Sequence, residues 1–180
     1  MQVIATPIPD LFIIQPKIFE DPRGYFFESY NRANFLNHKI DAEFVQDNQS
    51  LSQKGVLRGL HFQAPPYAQG KLVRVITGSV LDVAVDIRKN SPTYGKHYSM
   101  VLDEKNKTMF WIPPGFAHGF LTLADNTIFS YKCTNVYNKE SEGSILWNDP
   151  AIGIDWGISS PQLSEKDKEA KLFKDLKSPF

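Results

Sequence analysis

Short apolar or alternating runs, broken every few residues by Pro, Gly or Asn, extend along most of the chain. That texture predicts an antiparallel β sandwich or barrel. Residues 11–14 are apolar, and Asp21-Pro22-Arg23-Gly24 reads as a turn with Pro second and Gly fourth. Residues 56–62 form a candidate strand. Lys71–Thr77 and 80–87 flank Gly78-Ser79, the signal of a two-residue hairpin. In the second of these, Leu81, Val83, Val85 and Ile87 share one face and Asp82, Ala84 and Asp86 the other. This period of two marks a strand. Residues 108–112, 119–123 and 128–133 continue the pattern, with Pro113-Pro114-Gly115 between the first two. Helix signals are confined to 32–38 and 164–176. In the latter, Ser164 can cap, Asp167 follows three residues on, and Ala170, Leu172, Phe173 and Leu176 form an apolar stripe.

Composition narrows the class. At 180 residues, without repeats or a break in composition, the chain predicts one domain, 1–180. Hydrophobic residues make up 42% and charged ones 22%, which excludes a disordered chain. Twenty basic residues balance twenty acidic ones and the two are interspersed, which argues against nucleic acid or an anionic membrane as partner. A single cysteine, Cys133, excludes an internal disulfide and a multi-cysteine zinc site. The first residues lack a secretory pattern, and no apolar run nears the roughly 18 residues of a membrane span. A soluble, cytoplasmic protein is expected.

The four histidines, His38, His61, His97 and His118, show no pair at i, i+2 or i, i+4, so no metal site is expected. His61 sits among apolar neighbours in Arg58-Gly59-Leu60-His61-Phe62-Gln63; the common role of such a histidine is structural. Arg58 and His61 differ by three and would point to opposite faces of a regular strand, unless Gly59 marks a bulge. With a bulge, a cation and a base converge. Tyr131 shares parity with Phe129 and Cys133; it reads as a packed aromatic or as a phenolic acid facing the base. Lys71 reads as a solvated strand end or as a cation aimed into a dry interior. His118 is delivered to a strand start by the Pro-Pro-Gly turn. Asp167 reads first as the partner of Ser164 in a capping box.

Four segments change this balance: 58–63 (RGLHFQ), 69–74 (QGKLVR), 82–88 (DVAVDIR) and 111–120 (WIPPGFAHGF). Together with 21–28 (DPRGYFFE), Gln46-Asp47-Asn48, 141–150 (SEGSILWNDP) and 163–167 (LSEKD), they closely resemble the dTDP-4-dehydrorhamnose 3,5-epimerase family, metal-free epimerases of the cupin superfamily. Val136 and Gln49 depart from residues common in that family. The resemblance implies an all-β, cupin-type jelly-roll barrel with a short C-terminal helix, assembled as a homodimer and working without cofactor. It implies a dTDP-4-keto-6-deoxysugar substrate, inverted at C3 and C5 on the way to dTDP-L-rhamnose for cell-surface polysaccharide. It further implies His61 as base, Asp167 as its carboxylate partner, Tyr131 as acid and Lys71 beside the C4 carbonyl oxygen. Arg23, Glu28, Gln46, Asn48, Arg58, His118, Glu142 and Lys166 are implied substrate contacts, and Tyr137 the aromatic stacking on thymine. A mono-epimerase, a ketoisomerase and a non-catalytic sugar-nucleotide-binding cupin are the alternatives.

Overall fold

The computed structural model describes residues 1–180. Its strands are β1 (Gln2–Ala5), β2 (Phe12–Gln15), β3 (Ile18–Asp21), β4 (Gly24–Phe27), β5 (Gln46–Ser52), β6 (Leu57–Gln63) and β7 (Lys71–Thr77). They continue with β8 (Ser79–Asp86), β9 (His97–Asp103), β10 (Met109–Ile112), β11 (Phe116–Thr122), β12 (Thr127–Cys133) and β13 (Glu142–Ser144). Two sheets face each other, ordered β1-β2-β10-β7-β12-β5 and β13-β6-β11-β8-β9, and every pairing is antiparallel. This is the expected jelly roll. The β3–β4 hairpin, turning at Pro22-Arg23 as the sequence predicts, stands apart as a two-stranded sheet. No helix is long and apolar enough to cross a membrane.

Three apolar clusters account for the layering. Val73, Val75, Val80, Ala84, Phe110, Phe120 and Phe129 fill the space between the sheets. Phe35 of α1 (Arg32–Asn37), with Ile40 and Ala42, covers Leu72, Met109 and Trp111 on the outside of the six-stranded sheet. Val83, Val85, Ile87, Leu121 and Leu60 form the outer face of the five-stranded sheet, covered by Ile145, Ile152 and Trp156 of the C-terminal strap. The apolar stripe of β8 therefore faces the strap. Its polar stripe, Asp82, Ala84 and Asp86, is buried in turn.

Two expectations are corrected. Gly78-Ser79 is not a hairpin, because β7 and β8 lie in different sheets. Gly78, at φ +85°, turns the chain from one wall to the other, and a Cβ there would lie 2.2 Å from Thr127 Oγ1. A glycine-first turn fits such a corner as well as a hairpin. The predicted helix over 164–176 is only α2 (Glu165–Lys168), capped by Ser164 as expected. Beyond it Lys171 bridges Ile145 in parallel, and the Phe173 amide donates to Asp149 Oδ2 at 2.6 Å. Phe173 and Leu176 pack on the sheet, so tertiary contact overrides the helical periodicity.

The end of β8 is held by Asp86, which is fully buried and accepts from Arg88, from Ser91 Oγ at 2.6 Å and from Thr93 Oγ1 at 2.7 Å. Burial pushes its carboxyl up, but these donors outweigh burial and hold the pKa at about 2. A carboxyl depressed in the fold adds stability above its unfolded pKa, near 3.9, and loses it as pH falls towards 2. Asp86→Asn is expected to cost about 2 kcal/mol at pH 7, a difference that fades between pH 4 and 2 in urea unfolding.

Candidate active site

Between the sheets lies a cavity of about 460 Å³ bordered by Arg58, His61, Lys71, His118, Tyr131 and Asp167. His61 and Arg58 come from β6 and His118 from β11, all in the five-stranded wall. Tyr131 (β12) and Lys71 (β7) come from the facing wall. Arg58 joins His61 through the bulge foreseen at Gly59: His118 pairs with His61 but Phe120 with Arg58, so β6 carries an extra residue. Gly59 has φ +137°, and a Cβ there would meet Gly119 Cα at 2.5 Å, so only glycine fits.

The His61 ring is one-third exposed to the cavity, and its Nε2 lies 2.5 Å from Oδ1 of the nearly fully buried Asp167. Burial pushes the Asp167 carboxyl up, but the His61 hydrogen bond and charge, the Ser164 contact and Lys166 together hold it below the usual range. An ionised carboxylate only accepts, so Nε2 is the donor of this pair and Nδ1 is the nitrogen that Asp167 leaves unengaged. The first reading of Asp167, as reciprocal partner in a capping box, is thus replaced: Ser164 Oγ accepts from the Asp167 amide, while the carboxylate turns to His61.

Lys71 Nζ stands 5.9 Å from the Tyr131 ring centroid. Burial lowers its pKa, while Cys133, Asp82 and Glu142 work to keep it charged. The Tyr131 phenol is pushed up, first by burial and then by Cys133, against the Asn48 hydrogen bond and Arg58. It therefore stays protonated at neutral pH. An imidazole with one nitrogen left unengaged by Asp167, a lysine bordering the cavity and a proton-bearing phenol from the opposite wall can together deprotonate carbon and return a proton on the other side.

The remaining expected residues divide into two groups. Gln46 and Asn48 extend the wall along β5, bonded to each other at 3.1 Å, and Gln46 Oε1 accepts from the Tyr137 amide at 2.9 Å. Tyr137, half exposed, donates to Glu142 at 3.3 Å, and Glu142 pairs with Lys166 at 2.5 Å. These five make a connected polar network, none of it on the border of the cavity. Arg23 and Glu28 are not brought to the cavity. Arg23 projects from the β3–β4 hairpin, its side chain 89% exposed and paired to Asp21, and Glu28 accepts from Asn31 and Asn34. Sequence reasoning missed Asp82, whose two oxygens accept from His118 Nε2 at 2.9 and 3.0 Å. The signal was available: an acidic residue on the polar stripe of a strand whose other stripe is strongly apolar. No group of three or more His, Cys, Asp or Glu side chains is arranged to hold a metal ion.

Comparison with known proteins gives the family. The family model described as dTDP-4-dehydrorhamnose 3,5-epimerase matches residues 5–175. The Salmonella typhimurium protein named dTDP-4-dehydrorhamnose 3,5-epimerase is 57% identical over 176 residues, covering 96% of this chain and 95% of that one. The crystal structure of dTDP-6-deoxy-D-glucose-3,5-epimerase from Legionella pneumophila, in complex with dTDP-4-keto-L-rhamnose, superposes with a TM-score of 0.94 at 51% identity, covering 97% and 94%. A 3'-monoepimerase from Streptomyces bikiniensis, in complex with dTDP-quinovose, follows at a TM-score of 0.87 and 30% identity, covering 93% and 85%. The chain belongs to the dTDP-4-dehydrorhamnose 3,5-epimerase family.

Proposed function

We propose that residues 1–180 act as one jelly-roll domain that converts dTDP-4-dehydro-6-deoxy-D-glucose to dTDP-4-dehydro-L-rhamnose in the cytoplasm, without a cofactor. The observation that carries this reading is the origin of base and acid in opposite walls of one cavity, His61 in β6 and Tyr131 in β12, with Lys71 on the strand beside Tyr131. Hydrogens on carbon beside a ketone are acidic because their loss gives an enolate. Both C3 and C5 flank the C4 carbonyl, so a single cation at that oxygen serves both. Lys71 is assigned that role. His61 Nδ1 takes the proton, and Asp167 stabilises the imidazolium that results. Tyr131 delivers a proton to the opposite face of the planar carbon. The histidine then loses its proton and the phenolate regains one through solvent, which returns the site to its starting state. Arg58 and Lys166 offer charge to the diphosphate, Tyr137 a stacking face to thymine, and Gln46, Asn48, His118 and Glu142 polar contacts.

Homodimerisation follows from the same reading. Arg23 and Glu28, implied as substrate contacts, neither border the cavity nor join the polar network of Gln46, Asn48, Tyr137, Glu142 and Lys166, which favours their supply by a second copy. The hairpin that carries Arg23 exposes Phe19, Tyr25 and Phe26 at 53%, 56% and 70%, an aromatic surface suited to burial against another copy. Light scattering is expected to give twice the 20.5 kDa chain mass. Arg23→Ala is expected to raise KM several-fold with little change in kcat, whereas a fully active monomer contradicts the assembly.

Catalysis is tested by turnover in D₂O followed by NMR. The wild-type protein is expected to place deuterium at both C3 and C5, and His61→Ala to lower turnover by about 10²–10⁴-fold without loss of fold. Label at one carbon alone would make the chain a mono-epimerase. Tight binding without any exchange would make it a binding protein.

A further inference from the structure

The inward side of β5 is a ladder of four polar residues, Gln46, Asn48, Ser50 and Ser52, set opposite Cys133, Tyr131, Phe129 and Thr127 of β12. Three of the four are satisfied within the chain. Gln46 and Asn48 bond each other, Asn48 also donates to Cys133 Sγ at 3.6 Å, and Ser52 Oγ accepts from Arg58 Nε at 3.2 Å. Ser50 is the exception. Its Oγ is buried and makes no hydrogen bond, and Ser50 borders the same cavity as Arg58, His61 and Tyr131. A buried hydroxyl without a partner destabilises a fold, and alanine would fill this position at lower cost. Thr122 Oγ1 is the other buried side-chain atom without a partner, but Thr122 does not border the cavity.

We propose that Ser50 Oγ is a substrate contact, completing its hydrogen bonding with the C2 hydroxyl of the bound sugar. This rests on the reading of the cavity as a nucleotide-sugar site and adds a specificity residue to it. The chemistry selects a sugar hydroxyl over the diphosphate, because Oγ is uncharged and both gives and accepts a hydrogen bond, as a sugar hydroxyl does. Position agrees, since Ser50 borders the cavity together with His61, Lys71 and Tyr131, whereas Tyr137, assigned to thymine, does not. Among the ring substituents, C4 is the carbonyl and C3 and C5 invert. The C2 hydroxyl is the one ring hydroxyl whose carbon keeps its configuration through both inversions. A contact at a carbon that does not react serves binding of the sugar rather than the chemical step.

Calorimetric binding of dTDP, dTDP-glucose and dTDP-2-deoxyglucose to the wild-type protein, Ser50→Ala and Thr122→Val tests this. Ser50→Ala is expected to weaken dTDP-glucose about five- to tenfold and to leave dTDP unchanged. Wild type and Ser50→Ala are expected to bind dTDP-2-deoxyglucose equally. Ser50→Ala should melt no lower than wild type, since it removes an unsatisfied group, and Thr122→Val should bind every ligand as wild type does. Equal weakening of dTDP and dTDP-glucose, no weakening of either, or a lowered melting temperature with unchanged ligand preference would each overturn the assignment. Such a result, with wild-type binding of dTDP-glucose intact, removes the Ser50 contact alone. Failure of the wild-type protein to bind any of the three removes the nucleotide-sugar reading and the Ser50 contact with it.

Discussion

One hydrogen bond joins the two halves of this protein's chemistry. His61 Nε2 and Asp167 Oδ1 are 106 positions apart in sequence and 2.5 Å apart in space. The histidine belongs to the barrel, while the carboxylate arrives on a single helical turn in a strap that wraps the outside of the five-stranded sheet. Much of the C-terminal region serves to fix that turn. Gln162 bridges Val56 beside the start of β6, Trp156 Nε1 donates to the Trp147 carbonyl at 2.8 Å, and Ser178 Oγ donates to the Ile87 carbonyl. Phe180 packs its ring edge-on against Phe62, the neighbour of His61. A carboxylate held this way fixes the imidazole tautomer without needing to move during reaction.

The barrel interior is unusually polar for a core. Asp82, His118, Lys71, Tyr131 and Cys133 lie among Phe120, Phe129 and Val73, and each polar group leans on another. Asp82 satisfies His118 and helps keep Lys71 charged, against the burial that favours the neutral amine. Such a network stabilises less than an apolar filling of equal volume would. Under the proposed function its value is electrostatic: charges held in place between the sheets act on an enolate as it develops. Ser50, its Oγ buried and without a partner in the chain, is proposed to belong to the same trade.

Most of the strand pattern was legible because short apolar or alternating runs end at Pro, Gly or Asn, and Gly59 disclosed its bulge through the parity of Arg58 and His61. What misled were features whose meaning depends on distant partners. Gly78 has the local chemistry of a hairpin, yet the choice between hairpin and corner rests on which strands it joins. Residues 164–176 carry a helical stripe, yet the apolar face of β8 and β11 draws Phe173 and Leu176 into a different path. Asp82 stood only on the less apolar stripe of β8, and its burial depends on the facing sheet and on His118, which lies 36 positions away. Within the site, His61, Tyr131 and Lys71 were ambiguous singly, and motif resemblance rather than residue spacing brought them together. The positions of Arg23 and Glu28 could not follow from one chain if a second copy uses them.

The dependence of catalysis on the bond between strap and barrel is tested most directly by Asp167→Asn, with steady-state kcat measured alongside dTDP-glucose affinity and the natural-abundance or ¹⁵N tautomer signal of His61. The dyad predicts a fall in kcat of about 10²–10⁴-fold, a loss of the single Nε2-protonated tautomer and an unchanged affinity. Turnover within twofold of wild type would contradict it.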